Sequence, residues 1–155
     1  MHGLNGTFIS GSIGGLVGDN IGSIWDSYST ADVVGNGKQV GGLVGNNEAG
    51  TAKIINCYAT GNVSEGKESG GLVGFNRGMI KDSFAVGNVK SKGGIPGSCV
   101  GKQMAGTIDG CYGYQLTCVG ENAGGTVNLC KQVNDLNSLK GDRNPFVKVW
   151  DMNNT

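Results

Sequence analysis

Few side chains in this sequence have the types and spacing that catalysis requires. The 155-residue chain contains a single histidine, His2, which lies next to the chain start. A zinc peptidase needs two histidines one helical turn apart, and a serine or cysteine hydrolase needs one histidine placed as its base. The sequence therefore predicts no catalytic residue, no metal site and no cofactor, and it predicts a protein that is not an enzyme.

Two carboxylates, Asp26 and Asp82, stand at equivalent positions of a repeated pattern, as acids do in polysaccharide-cleaving sites. Asn56 occupies the same position in the copy between them. If the copies stack about 4.8 Å apart, the two acids are about 10 Å apart. That distance is long for a retaining glycosidase and marginal for an inverting one. Turn formation by aspartate is the preferred interpretation.

Five cysteines offer redox chemistry; they are Cys57, Cys99, Cys111, Cys118 and Cys130. The pairs Cys99–Cys118 and Cys111–Cys130 have the same spacing of 19 residues. If the last repeat is short, each pair stacks on neighbouring copies, within reach of a disulfide in an oxidising compartment. The alternative is that all are reduced and buried, in place of the serine found elsewhere in the repeat. Without a Cys-x-x-Cys pair, zinc is disfavoured.

These residues belong to an internal repeat. The pattern Gly-Gly-Leu-Val-Gly begins at Gly14, Gly41 and Gly70, and a weaker copy begins at Gly97. The first residues of successive copies are 27, 29 and 27 residues apart. Each copy continues with an amide, then an isoleucine, then a small residue before an aromatic one. The amides are Asn20, Asn47, Asn76, Gln103 and Asn122; the isoleucines are Ile24, Ile54, Ile80 and Ile108; the aromatic residues are Tyr28, Tyr58, Phe84 and Tyr112. Such a repeat predicts stacked supersecondary units.

Each copy holds three short candidate strands punctuated by Gly, Asn and Asp, and no stretch shows a helical stripe. We therefore predict an all-β fold, a parallel β-helix of four to five coils of about 27 residues. An N-terminal cap or partial coil covers 1–13 and a capping segment covers 131–155, with apolar residues Leu136, Leu139, Phe146, Val149 and Trp150. The solenoid spans 14–130, with coils at 14–40, 41–69, 70–96, 97–116 and 117–130.

Stacked copies place equivalent residues above one another. Asn20, Asn47 and Asn76 then form an amide ladder at a bend. Side-chain alternation predicts that the aromatic residues point outward, with a second bend near Asp26, Asn56, Asp82 and Gly110; the alternative is that they point inward. Together with Trp25, the aromatic row Tyr28, Tyr58, Phe84 and Tyr112 is the candidate ligand-binding surface, for sugar or protein. The alternative is a self-stacking ladder covered by loops or by a neighbouring domain.

Composition excludes several classes of protein. Lys plus Arg and Asp plus Glu each number 12, so no basic patch for nucleic acid is present. No apolar run approaches the length of a membrane span. The 31 glycines come with only 2 prolines and no three-residue period, which excludes collagen.

The repeats resemble the GLUG motif, named for its Gly-Leu-x-Gly core. The resemblance covers Gly14 to Val89 well and Gly97 to Cys130 poorly, because Cys99 replaces leucine and the fifth copy is short. It implies bacterial extracellular or cell-surface proteins, including IgA-cleaving peptidases in which a separate domain is catalytic. We accordingly predict a non-catalytic spacer, stalk or adhesin module. Its predicted partners are glycans, host or cell-surface proteins and neighbouring domains. The alternatives are a polysaccharide-binding or polysaccharide-cleaving β-helix, or an accessory domain of a secreted peptidase.

Overall fold

Short parallel strands, separated by turns, make up almost all of the regular structure. The structure is a computed structural model and describes residues 4–6, 11–48 and 50–139. Every strand pairing in these residues is parallel and joins one coil to the next, as in the pairing of Val44 with Val73. The fold is therefore a parallel β-solenoid, and the predicted fold class is confirmed.

The strands follow one another in chain order. The first coil and the strand before it contain β1 (Leu4–Gly6), β2 (Ser12–Gly14), β3 (Val17–Asn20), β4 (Ser23–Trp25), β5 (Tyr28–Ser29) and β6 (Val33–Gly35). The second coil contains β7 (Gln39–Gly41), β8 (Val44–Asn47), β9 (Lys53–Ile55), β10 (Tyr58–Ala59) and β11 (Val63–Gly66). The third contains β12 (Glu68–Gly70), β13 (Val73–Asn76), β14 (Met79–Ala85) and β15 (Val89–Ser91). The last two coils contain β16 (Val100–Gln103), β17 (Thr107–Tyr114), β18 (Val119–Asn122) and β19 (Thr126–Val133), and a 3-10 helix follows at Leu136–Leu139.

These strands stack into four sheets rather than the three predicted. Sheet 1 contains β2, β7 and β12; sheet 2 contains β3, β8, β13, β16 and β18; sheet 3 contains β4, β5, β9, β10, β14, β17 and β19; sheet 4 contains β1, β6, β11 and β15. The extra sheet arises because the residues before each Gly-Gly pair, such as Gln39–Gly41, form a strand of their own.

The register is vertical, so each position of the repeat lies above its equivalent. Hydrogen bonds along the amide column join residues 27, 29 and 27 apart. The isoleucine column is in register as well, with Ile24 paired to Ile54, Ile54 to Ile80 and Ile80 to Ile108. The spacing falls to 19 residues in the last step, where Ser98 bonds Thr117.

The interior contains two columns of aliphatic side chains. One cluster lies between sheets 2 and 3 and includes Leu43, Ile54, Leu72, Ile80 and Ile108, all fully buried. A second cluster lies against sheet 4 and contains Ile13, Val33, Val40, Val63 and Val89. Burial of each such side chain stabilises the fold by about 1.5–3 kcal/mol.

The repeated glycine pair lets neighbouring coils approach closely. A Cβ atom on Gly41 would collide with the carbonyl oxygen of Val44, and one on Gly42 would collide with the carbonyl oxygen of Gly71. Gly41 is thus required by a tight turn within its own coil, and Gly42 by backbone contact with the next coil.

The ends of the solenoid differ from the predicted boundaries. At the N-terminal side, β1 pairs with β6 as a partial coil, and β2 begins at Ser12, two residues before the predicted start of the first coil. At the C-terminal side, β19 continues to Val133, past the predicted end at residue 130. Of the predicted capping residues, Leu136 is exposed. Phe146, Val149 and Trp150, and the side chain of Leu139, lie outside the described residues, as does His2.

Candidate functional site

The amide column forms a continuous hydrogen-bonded ladder. Asn20 Nδ2 donates to Asn47 Oδ1 at 2.8 Å, and Asn47 Nδ2 donates to Asn76 Oδ1 at 2.7 Å. Asn76 Nδ2 then donates to Gln103 Oε1 at 2.7 Å, so the ladder extends one residue beyond the three predicted. All four side chains are buried. Because each amide is paired with the next, the ladder fixes the bend after sheet 2.

The ladder stops at the short fifth coil. Asn122 is in register with Gln103, but its Oδ1 accepts from the backbone N–H of Gly124 at 3.3 Å. Gln103 Nε2 donates instead to the carbonyl oxygen of Ala105 at 2.8 Å. Asn122 is also exposed, so this final amide lies outside the buried column.

The candidate carboxylates lie at a sharp turn within sheet 3. Asp26, Asn56 and Asp82 have φ values of 48°, 53° and 47°, and Gly110 has 94°. Asparagine, aspartate and glycine are the residues that adopt this left-handed conformation most readily. The predicted bend is confirmed, and this turn accounts for the type of residue found at Asp26 and Asp82.

The aromatic row lies on the outer side of sheet 3. Tyr28 and Tyr58 stack with ring centroids 5.0 Å apart, and Tyr58 and Phe84 stack at the same distance. Trp25 and Tyr28 are 60% and 56% exposed, whereas Phe84 is only 1% exposed. Tyr112, in register with Phe84, is half-buried and packs against it. The exposed part of the predicted binding row is therefore the end at Trp25 and Tyr28.

Partial burial affects the ionisation of two tyrosines of this row. Desolvation, with the neighbouring Tyr28 hydroxyl adding to it, raises the pKa of Tyr58 above its ordinary value. Desolvation, with the Asp82 carboxylate adding to it, raises the pKa of Tyr112. Both phenols therefore stay neutral at physiological pH.

The cysteines pair differently from the prediction. The structure joins Cys99 to Cys111 and Cys118 to Cys130, in place of the predicted pairs Cys99–Cys118 and Cys111–Cys130. The predicted partners do lie on neighbouring coils, because Cys99 N–H donates to the Cys118 carbonyl oxygen at 3.0 Å and Cys111 is in register with Cys130.

The reason for the difference is the direction of the side chains. In-register residues on parallel strands project side by side at the strand spacing of about 4.8 Å, beyond the Cβ separation that a disulfide favours. Cys99 and Cys111 come instead from the facing walls of one coil, with Cα atoms 6.6 Å apart. Cys118 and Cys130 face each other in the same way, at 5.7 Å. Each bridge therefore crosses the interior within its own coil.

Bridging also decides which groups are available to bind a metal ion. The Sγ atoms of Cys99, Cys118 and Cys130 lie within 4.8 Å of one another, which is the spacing of metal ligands. All three belong to disulfides, so none is a thiolate that zinc requires.

Cys57 is the free cysteine of the described residues. It is buried, and its Sγ lies 3.2 Å from the carbonyl oxygen of Ile55. Burial raises the pKa of the Cys57 thiol above its ordinary value, so it stays protonated and unreactive near neutral pH. In the next coil Ser83 takes the same position and donates to the carbonyl oxygen of Lys81 at 2.8 Å. Cys57 thus has the structural role of a small buried residue.

Stacked parallel coils, with asparagine and aliphatic columns in vertical register, define the protein as a repeat module of the β-solenoid class. Residues 36–64 match the family model described as the GLUG motif. The chain therefore contains a GLUG motif in its second coil, which supports the resemblance seen in the sequence. No curated protein and no solved structure matches the chain. Among the described residues, no helix is long and apolar enough to cross a membrane.

Sequence reasoning missed one surface feature. A groove of about 410 Å³ lies beside β15, with Val63, Val89, Lys90 and Leu116 among its lining residues. The signal that points to it is the short fourth repeat, because a shorter coil cannot cover all four sides of the longer coil beneath it.

Proposed function

We propose that this chain is a non-catalytic β-solenoid module of a secreted or cell-surface bacterial protein, in which it acts as a rigid spacer. The observation that carries the proposal is the vertical register from coil to coil, exemplified by the four-residue amide ladder. Each coil is bonded through its main chain to the next, so the module lengthens by about 4.8 Å for each added coil. Such a rod suits the display of other domains away from a cell.

Rod length gives a direct test. Ser23 and Thr126 are exposed and occupy one column, in the first and fifth coils. Spin labels attached at these two positions through a ketone-bearing amino acid leave the disulfides intact. We expect a narrow distance distribution by double electron–electron resonance. A duplicate of residues 41–69 inserted after Ser69 should lengthen the distance by about 5 Å.

The control is a glycine–serine insertion of the same length at the same place, which should broaden the distribution. A duplicated coil that gives the same broad distribution, or no increase in distance, would contradict the spacer proposal. Failure of this test would also argue against display of a neighbouring domain by this module.

A second candidate function is binding of glycan or protein through the exposed end of the aromatic row. Trp25 and Tyr28 lie on the same face with most of each side chain exposed, and aromatic rings stack on sugar faces. In affinity electrophoresis with polysaccharides, Trp25→Ala/Tyr28→Ala should abolish retardation. Ile95→Ala, at a site 63% exposed and away from this row, is the matched control.

The enzymatic alternative has a separate readout. A polysaccharide-cleaving β-helix would release reducing ends or unsaturated products from the same polysaccharides. We expect retardation without release of either product. Release that depends on Asp26 or Asp82 would overturn the non-catalytic proposal.

A further inference from the structure

Sheet 4 ends earlier than the sheets beside it. It contains four strands and stops at β15 in the third coil, whereas sheet 2 continues through β16 and β18. The fourth coil omits this side because the chain turns at Gln115, which has a φ of 66°, and Leu116 N–H donates to the Tyr114 carbonyl oxygen at 2.9 Å. The outer edge of β15 therefore pairs with no strand of the described residues.

The pairing in the earlier coils shows which groups this edge presents. Val33 N–H donates to the Asn62 carbonyl oxygen at 2.8 Å, and Val63 N–H donates to that of Asn88 at 2.8 Å. In the opposite direction, Asn62 N–H donates to Asp32 Oδ1 at 2.8 Å and Asn88 N–H donates to Asn62 Oδ1 at 3.0 Å. By the same rule, Val89 N–H and Asn88 Oδ1 point toward the next level of the stack. They are a donor and an acceptor placed for one more strand.

A groove lies at that level, beside the edge of β15. The apolar lining of the groove of about 410 Å³ comes from Val63, Val89 and Leu116, and Tyr114 and Gln115 line it as well. Val33, Val63 and Val89 form a column that is at most 7% exposed, and Leu116 packs against it. A side chain that continues this column is small and β-branched.

The rim of the groove, unlike its apolar lining, carries a positive charge. The outward positions of this sheet are Val34, Ser64 and Lys90, so the last row before the groove carries a cation. Lys92, the residue after β15, forms an ion pair with Glu65, with an Nζ–Oε2 distance of 3.9 Å. An acidic side chain in the next row would lie about 4.8 Å from the Lys90 position.

We propose that the outer edge of β15 binds an extended acidic peptide segment of a partner protein, added in parallel as the next strand of sheet 4. The segment presents a β-branched aliphatic residue above Val89 and an acidic residue beside Lys90. The residue of the segment that precedes the β-branched one makes both main-chain bonds: its carbonyl oxygen accepts from Val89 N–H, and its N–H donates to Asn88 Oδ1. Main-chain bonds give affinity in this mode, and the two side-chain positions give specificity.

The test uses a capped heptapeptide with the sequence of residues 86–92 in which glutamate replaces both lysines. Titrated into the isotope-labelled protein, it should shift the amide resonances of Val89, Lys90 and Leu116 and slow hydrogen exchange of Val89 N–H. The unaltered peptide, with both lysines, should bind at least threefold more weakly. Methylation of the backbone nitrogen of the peptide's asparagine should weaken binding about tenfold, because it removes the donor to Asn88 Oδ1.

Lys90→Glu is the matched protein variant, since it changes an exposed side chain and leaves the core intact. It should reverse the preference, so that the peptide with lysines binds more tightly. Absence of shifts at millimolar peptide, or equal binding by the N-methylated peptide, would overturn the proposal. Dimerisation of the free protein would also overturn the proposal if it protects Val89 N–H from hydrogen exchange, because the edge would then bind a second copy of this chain. Rod length is measured separately, so either result leaves the spacer proposal standing.

Discussion

The three wide coils and the two narrow coils of this solenoid are stabilised by different means. The wide coils are 27 to 29 residues long, have four sides and enclose two aliphatic clusters. The narrow coils, 19 residues apart, contain only β16 to β19 and are crossed by two disulfides. The aliphatic column of sheet 4 ends at Val89, with Leu116 packed on it.

The difference shows how coil size determines the stabilising chemistry. A four-sided coil has enough interior for two clusters of stacked aliphatic residues. A narrower coil has no sheet 4 and therefore no second aliphatic cluster, and the bridged cysteines of its two facing walls lie at Cα distances of 6.6 and 5.7 Å, which suits a disulfide. Small domains that cannot bury enough apolar surface are commonly stabilised in this way.

The largest effect is expected from filling the glycine column of the wide coils. Gly42→Ala places a Cβ against the carbonyl oxygen of Gly71 and 3.0 Å from Ala59 Cβ, so two coils must separate. We expect the free energy of unfolding to fall by about 4 kcal/mol or more, measured by urea denaturation. Gly22→Ala is the control, because nothing lies within 4 Å of its Cβ position, and it should change stability by less than about 0.5 kcal/mol. Equal effects of the two substitutions would show that the coils are not in close contact at Gly42.

The next largest effect concerns the narrow coils. Each disulfide closes a loop of sequence separation 12, so its removal should cost about 3 kcal/mol. In Cys99→Ala/Cys111→Ala and in Cys118→Ala/Cys130→Ala, hydrogen exchange should accelerate in β16 to β19 while β8 and β13 remain protected. Loss of protection spread evenly over all five coils would contradict the distinction between the two regions.

The disulfide pairing has its own measurement. Cleavage after Lys102, Tyr114 and Glu121 separates the four bridged cysteines onto different peptides. Mass spectrometry of the oxidised protein should link the Cys99 peptide to the Cys111 peptide and the Cys118 peptide to the Cys130 peptide. Links of Cys99 to Cys118 and of Cys111 to Cys130 would restore the pairing predicted from the spacing.

The sequence predicts the columns of this fold better than its cross-section. Asparagine at 20, 47 and 76 and isoleucine at 24, 54, 80 and 108 are visible as a period, and vertical stacking follows from that period. The pairing of the cysteines depends on which walls face each other, and the fourth sheet depends on how the chain turns between strands. Burial of Phe84 on an outward face likewise depends on packing outside its own repeat. Spacing alone contains none of this information.

A smaller effect is expected from interrupting the amide ladder. Asn47→Ala removes the acceptor of Asn20 Nδ2 and the donor to Asn76 Oδ1, both in buried surroundings. An unpaired buried polar group costs about 1–3 kcal/mol, so we expect a loss near 2 kcal/mol in denaturant titration. Asn122→Ala, at the exposed end of the same column, should cost less than about 0.5 kcal/mol. A comparable loss in both variants would mean that burial of the ladder is unimportant.

The smallest effect concerns Cys57 and appears only at high pH. Because burial raises the pKa of the Cys57 thiol, the unfolded chain loses this proton at a lower pH than the folded chain does. The stabilisation that this thiol contributes is complete below its ordinary pKa. It declines as the pH rises through the pKa of the thiol in the folded protein. Cys57→Ser should therefore change stability by less than about 1 kcal/mol at pH 7, since Ser83 fits the same column.

Thermal denaturation from pH 7 to pH 10.5 checks this expectation. Above about pH 9, the natural protein should lose more stability than Cys57→Ser. Tyr58 and Tyr112 are present in both proteins, so their titration cancels in the comparison. Parallel pH profiles for the two proteins would contradict the assigned burial of the thiol.

The vertical register itself is best tested by scalar couplings across hydrogen bonds in nuclear magnetic resonance. Leu43 N–H donates to the Leu72 carbonyl oxygen at 2.9 Å, and Leu72 N–H donates to that of Cys99 at 2.9 Å. A long-range HNCO spectrum should therefore correlate the Leu43 amide with the Leu72 carbonyl carbon and the Leu72 amide with that of Cys99. Correlations shifted by one residue, or joining these segments in antiparallel order, would contradict the stacked-coil structure.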